Sequence, residues 1–271
     1  MKSFFFVPGD REDFIQKAKS LDADYLVFDL EDSVSEYRRG VAVNNLLRRD
    51  VDMRDYLRVY WPIDKPSPFR ELVIHGYSRF MLPKIQEVGD VDLFLSLVDS
   101  HRTYRIEIIV LVESPLALHN TTELAQHPAV VGLCFGAHDY FELTGMEPLF
   151  HNIAWHRNVV LNTSKAFGKM SLDVASMNVT DASAFRQECE SAKSMAFDGK
   201  LLIHPWQLGL FNDSKWFSEK DIQFAKKVKA HIQSIGGMEA FSVTTLDGQV
   251  VERPHIERIN RILKESGYDT I

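Results

Sequence analysis

The chain has 271 residues, 45% of them hydrophobic, which is enough for one large domain or two ordinary ones. Its formal net charge of −7 argues against a nucleic-acid-binding protein, and no apolar stretch approaches the length of a transmembrane helix. The two cysteines, Cys134 and Cys189, provide no disulfide framework, so we expect a cytoplasmic protein without a membrane partner.

Short apolar runs alternate with helical stretches through most of the chain. The run from Tyr25 to Leu30 is typical: it indicates a strand buried on both faces, and it is closed by Glu31 and Asp32. The alternation predicts strands at residues 3–7, 25–30, 57–61, 79–82, 107–113, 130–135, 171–174 and 201–203. It predicts helices between them at residues 11–20, 35–48, 66–75, 88–99, 116–125, 149–167 and 181–195.

Eight strand–helix alternations favour an α/β fold of the (β/α)8 type, the TIM barrel, whose usual length is about 250 residues. An open doubly wound sheet is the alternative fold. The glycine-rich dinucleotide fingerprint that such sheets often carry is missing from this sequence. We therefore expect a TIM-barrel catalytic domain at residues 1–215.

The last segment of the chain has a different pattern. It predicts a helix at residues 218–233, a hairpin at 241–251 turning at Asp247-Gly248, and a final helix at 254–266. Residues 216–271 are therefore expected to form a short helix–hairpin–helix extension that packs on the barrel or on a neighbouring subunit.

Two carboxylates follow buried strands that are neighbours in the predicted barrel. Glu113 ends the strand at 107–113, and Asp139 follows the strand at 130–135. Two acids at neighbouring strand ends suit Mg²⁺, which takes one or two protein carboxylates and completes its shell with water and substrate. The alternative is that each acid caps the helix that follows it.

Other charged residues are expected at the same rim. Arg58 lies inside an otherwise apolar strand, where a buried guanidinium needs either a substrate carboxylate or a salt bridge to Glu31 or Asp32. Glu31 and Asp32 could hold metal-bound waters, or could simply favour the start of a helix. Lys84, after the fourth strand, is a candidate phosphate or carboxylate contact.

Six segments of the sequence occur together in one known family. The chain resembles the citrate lyase β-subunit and malyl-CoA lyase family, which are aldolases of the HpcH/HpaI type. The resemblance covers nearly the whole length and includes the tail hairpin. It rests on the segments at residues 3–11 (SFFFVPGDR), 28–34 (FDLEDSV), 82–84 (LPK), 112–115 (VESP), 135–139 (FGAHD) and 199–207 (GKLLIHPWQ).

The resemblance implies a TIM barrel, a Mg²⁺ ion and retro-Claisen or aldol chemistry on 3-hydroxyacyl thioesters. It implies that Glu113 and Asp139 bind the metal and that Glu31 and Asp32 lie in its second shell. It makes Arg58 the clamp for the carboxylate of an α-keto acid. With Lys84 and Glu113, Arg58 completes the expected substrate-binding set.

The sequence departs from the family pattern at two places. Family members often have Arg-Val-Asn where this chain has Arg58-Val59-Tyr60, which changes the substrate pocket. Relatives that act on CoA thioesters often carry an aspartate in the tail hairpin, supplied to a neighbouring subunit as catalytic acid or base. The matching residue here is Glu252, which keeps the carboxylate.

The resemblance predicts a Mg²⁺-dependent carbon–carbon lyase. Its expected substrate is a CoA or acyl-carrier thioester of a hydroxy di- or tricarboxylic acid, citryl-, malyl- or citramalyl-like, and it would release an α-keto acid. The alternatives are an aldolase for free 2-keto acids and a non-catalytic relative that binds keto acid or CoA. The tail predicts a homo-oligomer, a trimer or a hexamer.

Overall fold

The structure, a computed structural model, describes residues 1–63, 67–98, 105–214 and 217–271. It divides into two compact units, Met1–Asn212 and Asp213–Ile271. The predicted boundary between residues 215 and 216 lies outside the described residues. So do Pro66 and Asp99, the predicted ends of two helices. Within the described ranges, no helix is long and apolar enough to cross a bilayer.

Parallel strands close into an eight-stranded barrel in the first unit. Each strand pairs with its neighbours in chain order, and the first strand pairs with the last. This confirms the predicted (β/α)8 barrel. The strands are β1 (Lys2–Pro8), β2 (Tyr25–Asp29), β3 (Asp55–Arg58), β4 (Arg79–Leu82), β5 (Glu107–Val112), β6 (Val130–Phe135), β7 (Met170–Asp173) and β8 (Gly199–Leu202).

Helices follow the strands and surround the barrel. Two short 3₁₀ turns, Glu36–Arg38 and Phe150–Ile153, precede two of them. Among the described residues of this unit the α-helices are α1 (Glu12–Ala18), α2 (Arg39–Leu47), α3 (Ser67–His75), α4 (Val88–Val98), α5 (Pro115–His119), α6 (Thr121–Gln126), α7 (Ala137–Thr144), α8 (Ala154–Ala166), α9 (Ala182–Ser194) and α10 (Pro205–Asn212).

Apolar side chains fill the barrel interior. One buried cluster takes a residue from every strand, so it can lie only inside the barrel; its members are Phe4, Val27, Tyr56, Met81, Ile109, Leu111, Cys134, Leu172 and Leu201. The opposite face of each strand packs against helices. Burial on both faces explains why the strands read as unbroken apolar runs rather than as alternating patterns.

The bounds predicted for the third strand were wrong. The strand was expected at residues 57–61 with Arg58 in its interior, whereas β3 ends at Arg58. It begins two residues earlier because the charge of Asp55 is paired inside the protein: Nη1 of Arg49 lies 2.5 Å from Oδ2 of Asp55. Arg58 therefore stands at the carboxyl end of the barrel, opposite Asp29 in the pairing of β2 with β3.

The segment after β6 also differs from the prediction. Helix α7 starts directly after β6, with Gly136 as its N-cap. Its C-cap is Gly145, which has a left-handed backbone with φ of 71°. The single helix expected at residues 149–167 is divided into a 3₁₀ turn and α8. A helix of only eight residues has too few turns to show a clear apolar period, so only the capping alternative for Asp139 indicated a helix here.

A charged network is buried between the barrel and the helices α8 and α9. Nε of Arg157 donates to Oδ1 of Asp173 over 2.7 Å, and Nζ of Lys200 donates to Oδ2 of the same carboxylate over 3.1 Å. The side chains of Asp173 and Lys200 are fully buried, and that of Arg157 is 3% exposed. Such a network is tolerable only because each charge has an opposite charge beside it.

The second unit contains a helix, a hairpin and a further helix, as the sequence predicts. Helix α11 (Glu219–Ser234) is followed by the antiparallel strands β9 (Val243–Leu246) and β10 (Gln249–Glu252) and by α12 (Ile256–Glu265). The hairpin turns at Asp247-Gly248, where both residues have positive φ. Buried residues from all these elements except β9 form the core of this unit.

Candidate active site

The carboxyl ends of parallel strands lie at one rim of the barrel, and a pocket of about 370 Å³ opens there. Its walls combine apolar side chains from inside the barrel, such as Phe6 and Leu111, with charged groups at the strand ends. The charged residues that line it are Asp29, Asp32, Arg58, Glu113 and Asp139. Four of these were predicted site residues, and Asp29 was not.

Arg58 is held by carboxylates from β2 and the loop after it. Its Nε and Nη2 donate to the two oxygens of Asp29, each over 2.7 Å, in a bidentate pair. Its Nη1 donates to Asp32 over 3.0 Å and lies 3.4 Å from Oε2 of Glu31. The salt bridge left open by the sequence is therefore present, and Asp29 is its principal partner.

Asp29 is fixed on several sides. Burial alone would raise its pKa, but the charge and hydrogen bonds of Arg58, with donors from Ser33 and the Glu31 backbone, lower the pKa overall. The carboxylate is therefore ionised and fully hydrogen-bonded, a supporting group that orients the guanidinium rather than one that exchanges protons.

Glu113 is buried, with 5% of its surface exposed. The backbone N–H of Lys84 donates to its Oε2 over 2.7 Å. Burial, followed by the negative charge of Asp139, raises the pKa of Glu113 well above its ordinary value of 4.5. The capping alternative is wrong for this residue, because Ser114 is the N-cap of α5 and accepts a hydrogen bond from the N–H of Ala117.

A glycine makes room for the Glu113 carboxylate. A Cβ atom at Gly136 would lie 2.2 Å from Cγ and 2.7 Å from Oε1 of Glu113, so a side chain at this position cannot coexist with the observed carboxylate. Gly136 directly follows β6, the strand next to the one that ends at Glu113. Because Gly136 has no side chain, the Glu113 side chain can extend from the end of β5 across the end of β6.

Asp139 lies in the first turn of α7, whose N-cap is Gly136, so it is not the capping residue. Its side chain is 32% exposed, and the helix N-terminus favours its negative charge. Nζ of Lys84 lies 4.0 Å from its Oδ1.

Glu31 and Lys84 form an ion pair, with Nζ of Lys84 2.8 Å from Oε1 of Glu31. Oε1 is buried, and the ammonium group of Lys84 is the cation beside it. Burial raises the pKa of Glu31 despite the nearby positive charges of Arg58 and Lys84. Lys84 itself has a left-handed backbone with φ of 56°, which turns its N–H toward Glu113.

Among the described residues, the rim has too few positive charges for its acids. Asp29, Glu31, Asp32, Glu113 and Asp139 carry five negative charges when ionised, and Arg58 and Lys84 supply two positive charges, which leaves a net charge of −3. A buried carboxylate beside another carboxylate is unfavourable unless a cation joins them.

The donor set fits a hard divalent cation. The described residues contain no group of three or more His, Cys, Asp or Glu side chains spaced to hold a metal. A site with two protein carboxylates, completed by water and substrate oxygens, suits Mg²⁺ better than a metal that needs a full protein shell.

Glu252 belongs to the second unit, at the end of β10, and is exposed. Its side chain accepts a hydrogen bond from the backbone of His255, and Nδ1 of His255 accepts one from the backbone N–H of Glu252 over 2.9 Å. Within its own unit this carboxylate therefore caps a 3₁₀ turn.

Comparison with known proteins identifies the family. The profile of the HpcH/HpaI aldolase/citrate lyase family matches residues 2–205. The chain belongs to this family. A (3S)-malyl-CoA thioesterase from Cereibacter sphaeroides is 27% identical over 98% of this chain and 94% of its own length. The citrate lyase subunit beta of Leuconostoc mesenteroides is also 27% identical, over 97% of this chain and 92% of its own length.

A solved structure of the family extends this likeness to the fold. CitE from Mycobacterium tuberculosis, in complex with magnesium, acetoacetate and coenzyme A, has a TM-score of 0.85 and 25% identity, and the match covers 98% of each chain. The comparison therefore includes the second unit as well as the barrel.

Sequence reasoning missed two residues of this rim. Asp29 follows an apolar run in β2, and it accepts hydrogen bonds from the N–H groups of Glu31 and Ser33 as well as from Arg58. Alignment of the strand ends of β2 and β3 would have placed it beside Arg58. Gly136 carries a weaker signal, a glycine just past a strand end and beside a predicted metal ligand.

Proposed function

We propose that this chain is a Mg²⁺-dependent carbon–carbon lyase that cleaves a CoA or acyl-carrier thioester of a hydroxy di- or tricarboxylic acid and releases an α-keto acid. The observation that carries the proposal is the excess of negative charge among the described residues of the rim, where burial and the charge of Asp139 raise the pKa of Glu113. Membership of the HpcH/HpaI family supports the reaction class. The magnesium, acetoacetate and coenzyme A bound by the M. tuberculosis CitE support the metal and the kind of substrate.

Glu113 and Asp139 are the proposed metal ligands, and Glu31 and Asp32 are proposed to hold waters of the metal's shell. When bound, Mg²⁺ would supply Lewis-acid polarisation of the keto-acid oxygen atoms. The raised pKa of Glu113 is lowered again by any cation that binds there, because the cation stabilises the ionised carboxylate.

Arg58 is proposed to bind the carboxylate of the keto-acid fragment. An arginine has five N–H donors. Asp29 and Asp32 accept three of them, and Nη1 also lies 3.4 Å from Oε2 of Glu31, so the second N–H of Nη2 is left for a substrate. The bidentate pair with Asp29 fixes the plane of the guanidinium before the substrate arrives, which reduces the ordering cost of binding. Lys84 adds a second positive charge on the same rim.

Cleavage requires one proton to leave and one to return. A base takes the hydroxyl proton, the bond between the hydroxyl-bearing carbon and the acyl α-carbon breaks, and the electron pair stays on the acyl fragment as an enolate that then takes up a proton. Glu252, supplied by the extension of a neighbouring subunit, is the proposed acid or base.

Thioester hydrolysis is a second candidate activity. The similarity to the (3S)-malyl-CoA thioesterase of C. sphaeroides favours it. The two activities are separated by their products: a lyase releases acyl-CoA and an α-keto acid, whereas a thioesterase releases free CoA and the intact hydroxy acid. A free 2-keto acid aldolase would need no thioester at all.

The test is a product assay with malyl-, citramalyl- and citryl-CoA in the presence of Mg²⁺, together with calorimetry of Mg²⁺ binding. Glu113→Ala should abolish turnover and Mg²⁺ binding. Glu107→Ala is the matched control, since Glu107 begins the same strand at the opposite end of the barrel, where it pairs with Arg79.

Turnover that survives Glu113→Ala means that the metal assignment is wrong. If neither Mg²⁺ nor any α-keto acid binds the wild-type protein, the enzymatic proposals are abandoned and a non-catalytic role is favoured.

We also propose a cytoplasmic location and a homo-oligomer, a trimer or a hexamer. Sedimentation analysis tests the oligomer, and the two free buried cysteines are compatible with a reducing compartment.

A further inference from the structure

A second cavity of about 210 Å³ adjoins the pocket at the barrel mouth. Ala137, His138, Ala175 and Met177 line both cavities, so these residues form the boundary between them. The second cavity lies between α7, the 3₁₀ turn before α8 and the segment that follows β7. We call it the side pocket.

Five of the eight other residues that line the side pocket are apolar: Phe141, Pro148, Phe150, Ile153 and Val174. Ile153 and Val174 are almost completely buried. A cavity with such walls favours an apolar group, because transfer of each buried methylene out of water is favourable.

Three polar side chains of the side pocket, those of Ser176, Asn178 and Glu188, are already paired within the protein. Oγ of Ser176 donates to Oε1 of Glu188 over 3.1 Å, and Oε2 of Glu188 lies 3.8 Å from Nζ of Lys200. The amide oxygen of Asn178 accepts from the N–H groups of Thr180 and Asp181. These groups therefore do not call for a charged ligand.

The position of the side pocket relative to Arg58 indicates which part of a substrate reaches it. The side pocket follows β7, and Arg58 ends β3, four strands away in a closed barrel of eight. The two therefore lie across the mouth from each other. With the keto-acid carboxylate on Arg58, the acyl fragment of the thioester extends toward the side pocket.

We propose that the side pocket binds an alkyl group of about two or three carbons on the α-carbon of the acyl fragment, such as the ethyl group of butyryl-CoA. A cavity of about 150 Å³ holds a benzene molecule, so the side pocket, with a volume of about 210 Å³, has room for a group of this size. The inference rests on the proposed lyase function and specifies its substrate class. The reaction itself is unchanged: one carbon–carbon bond breaks, and the alkyl chain leaves with the acyl-CoA.

The test uses the reverse direction, condensation of acyl-CoA thioesters with glyoxylate or pyruvate in the presence of Mg²⁺. Acetyl-, butyryl- and hexanoyl-CoA are compared by kcat/KM. Because each buried methylene contributes about a fourfold factor, butyryl-CoA should exceed acetyl-CoA by roughly tenfold.

Two variants examine the side pocket directly. Val174→Phe should fill it and remove the preference for butyryl-CoA, whereas Ile153→Ala should enlarge it and move the preference toward hexanoyl-CoA. Val179→Phe is the matched control, because Val179 is exposed and does not line either cavity, and it should leave the preference unchanged. Thermal unfolding verifies that each variant is folded. If Val174→Phe is not folded, Ile153→Ala tests the proposal.

The outcomes separate this inference from the proposed function. No condensation with any of the thioesters contradicts the lyase itself. Condensation with acetyl-CoA alone, or a chain-length preference that neither variant alters, overturns the side-pocket proposal and leaves the lyase standing. An equal loss of kcat/KM for all thioesters in Val174→Phe also overturns the side-pocket proposal. Such a result would mean that the side pocket binds a part common to every substrate, such as the pantetheine arm.

Discussion

Replacing Gly136 by alanine should remove metal binding without unfolding the barrel. The added Cβ would lie 2.2 Å from Cγ of Glu113, whereas ordinary contact begins at 3.4 Å, so the glutamate has to move by about 1.2 Å. The backbone of Gly136 has a φ of −89°, which alanine adopts readily, so the clash falls on the glutamate side chain.

A displacement of this size should weaken Mg²⁺ binding by about 100-fold, the usual effect of misplacing a functional group by about 1 Å. Isothermal calorimetry with Mg²⁺ and with Mn²⁺ measures the affinity, and far-UV circular dichroism reports the fold. Gly209→Ala is the matched control, because a Cβ at Gly209, within α10, meets nothing within 4 Å. Wild-type affinity in a folded Gly136→Ala variant would refute the assignment of Glu113 as a ligand held in place by this glycine.

Three further predictions concern charge. Because the pKa of Glu113 is raised well above 4.5 in the folded protein, its contribution to stability is lost as the pH rises from 4.5 through that raised value. With a chelator present, the wild type should therefore lose stability relative to Glu113→Gln across this window, and parallel unfolding curves would contradict the raised pKa. Asp173→Asn should lower the free energy of unfolding, measured by chemical denaturation, by about 3–5 kcal/mol, because it leaves two buried cations without their shared anion. Asp13→Asn, at the exposed pair with Arg11, should lower it by less than about 1 kcal/mol. Glu252→Ala should lower kcat by at least about 100-fold if this carboxylate is the acid or base; a change confined to about 1 kcal/mol of stability identifies it as a turn cap only.

The barrel could be predicted because its strands are buried on both faces. Runs such as Ile108 to Val112 carry no polar residue, and the groups that end them mark the rim. The same reasoning failed at β3, where apolarity was taken as the guide to the strand's bounds. Asp55 belongs to that strand, since Arg49, from the end of the preceding helix, neutralises it.

The charged residues of the rim could be predicted individually, but their pairing could not. Arg58 was expected to bind either substrate or Glu31 and Asp32, and its principal partner is Asp29. The pairing depends on which residues of β2 and β3 stand opposite each other, and a one-residue error in the strand bounds hides it. The sequence marks Gly136 only as a glycine just past a strand end, because its role follows from the path of the Glu113 side chain in space.

The backbone of Lys84 has a consequence for engineering. Its left-handed conformation, with φ of 56°, costs a residue other than glycine about 1 kcal/mol, and this strain aims its N–H at Glu113. Glycine at this position would keep the N–H and relieve the strain, but it would also remove the ammonium group beside Glu31. If Lys84 binds the substrate as proposed, a search for thermostable variants would select glycine here at the expense of activity, a trade-off between stability and activity located in a single residue.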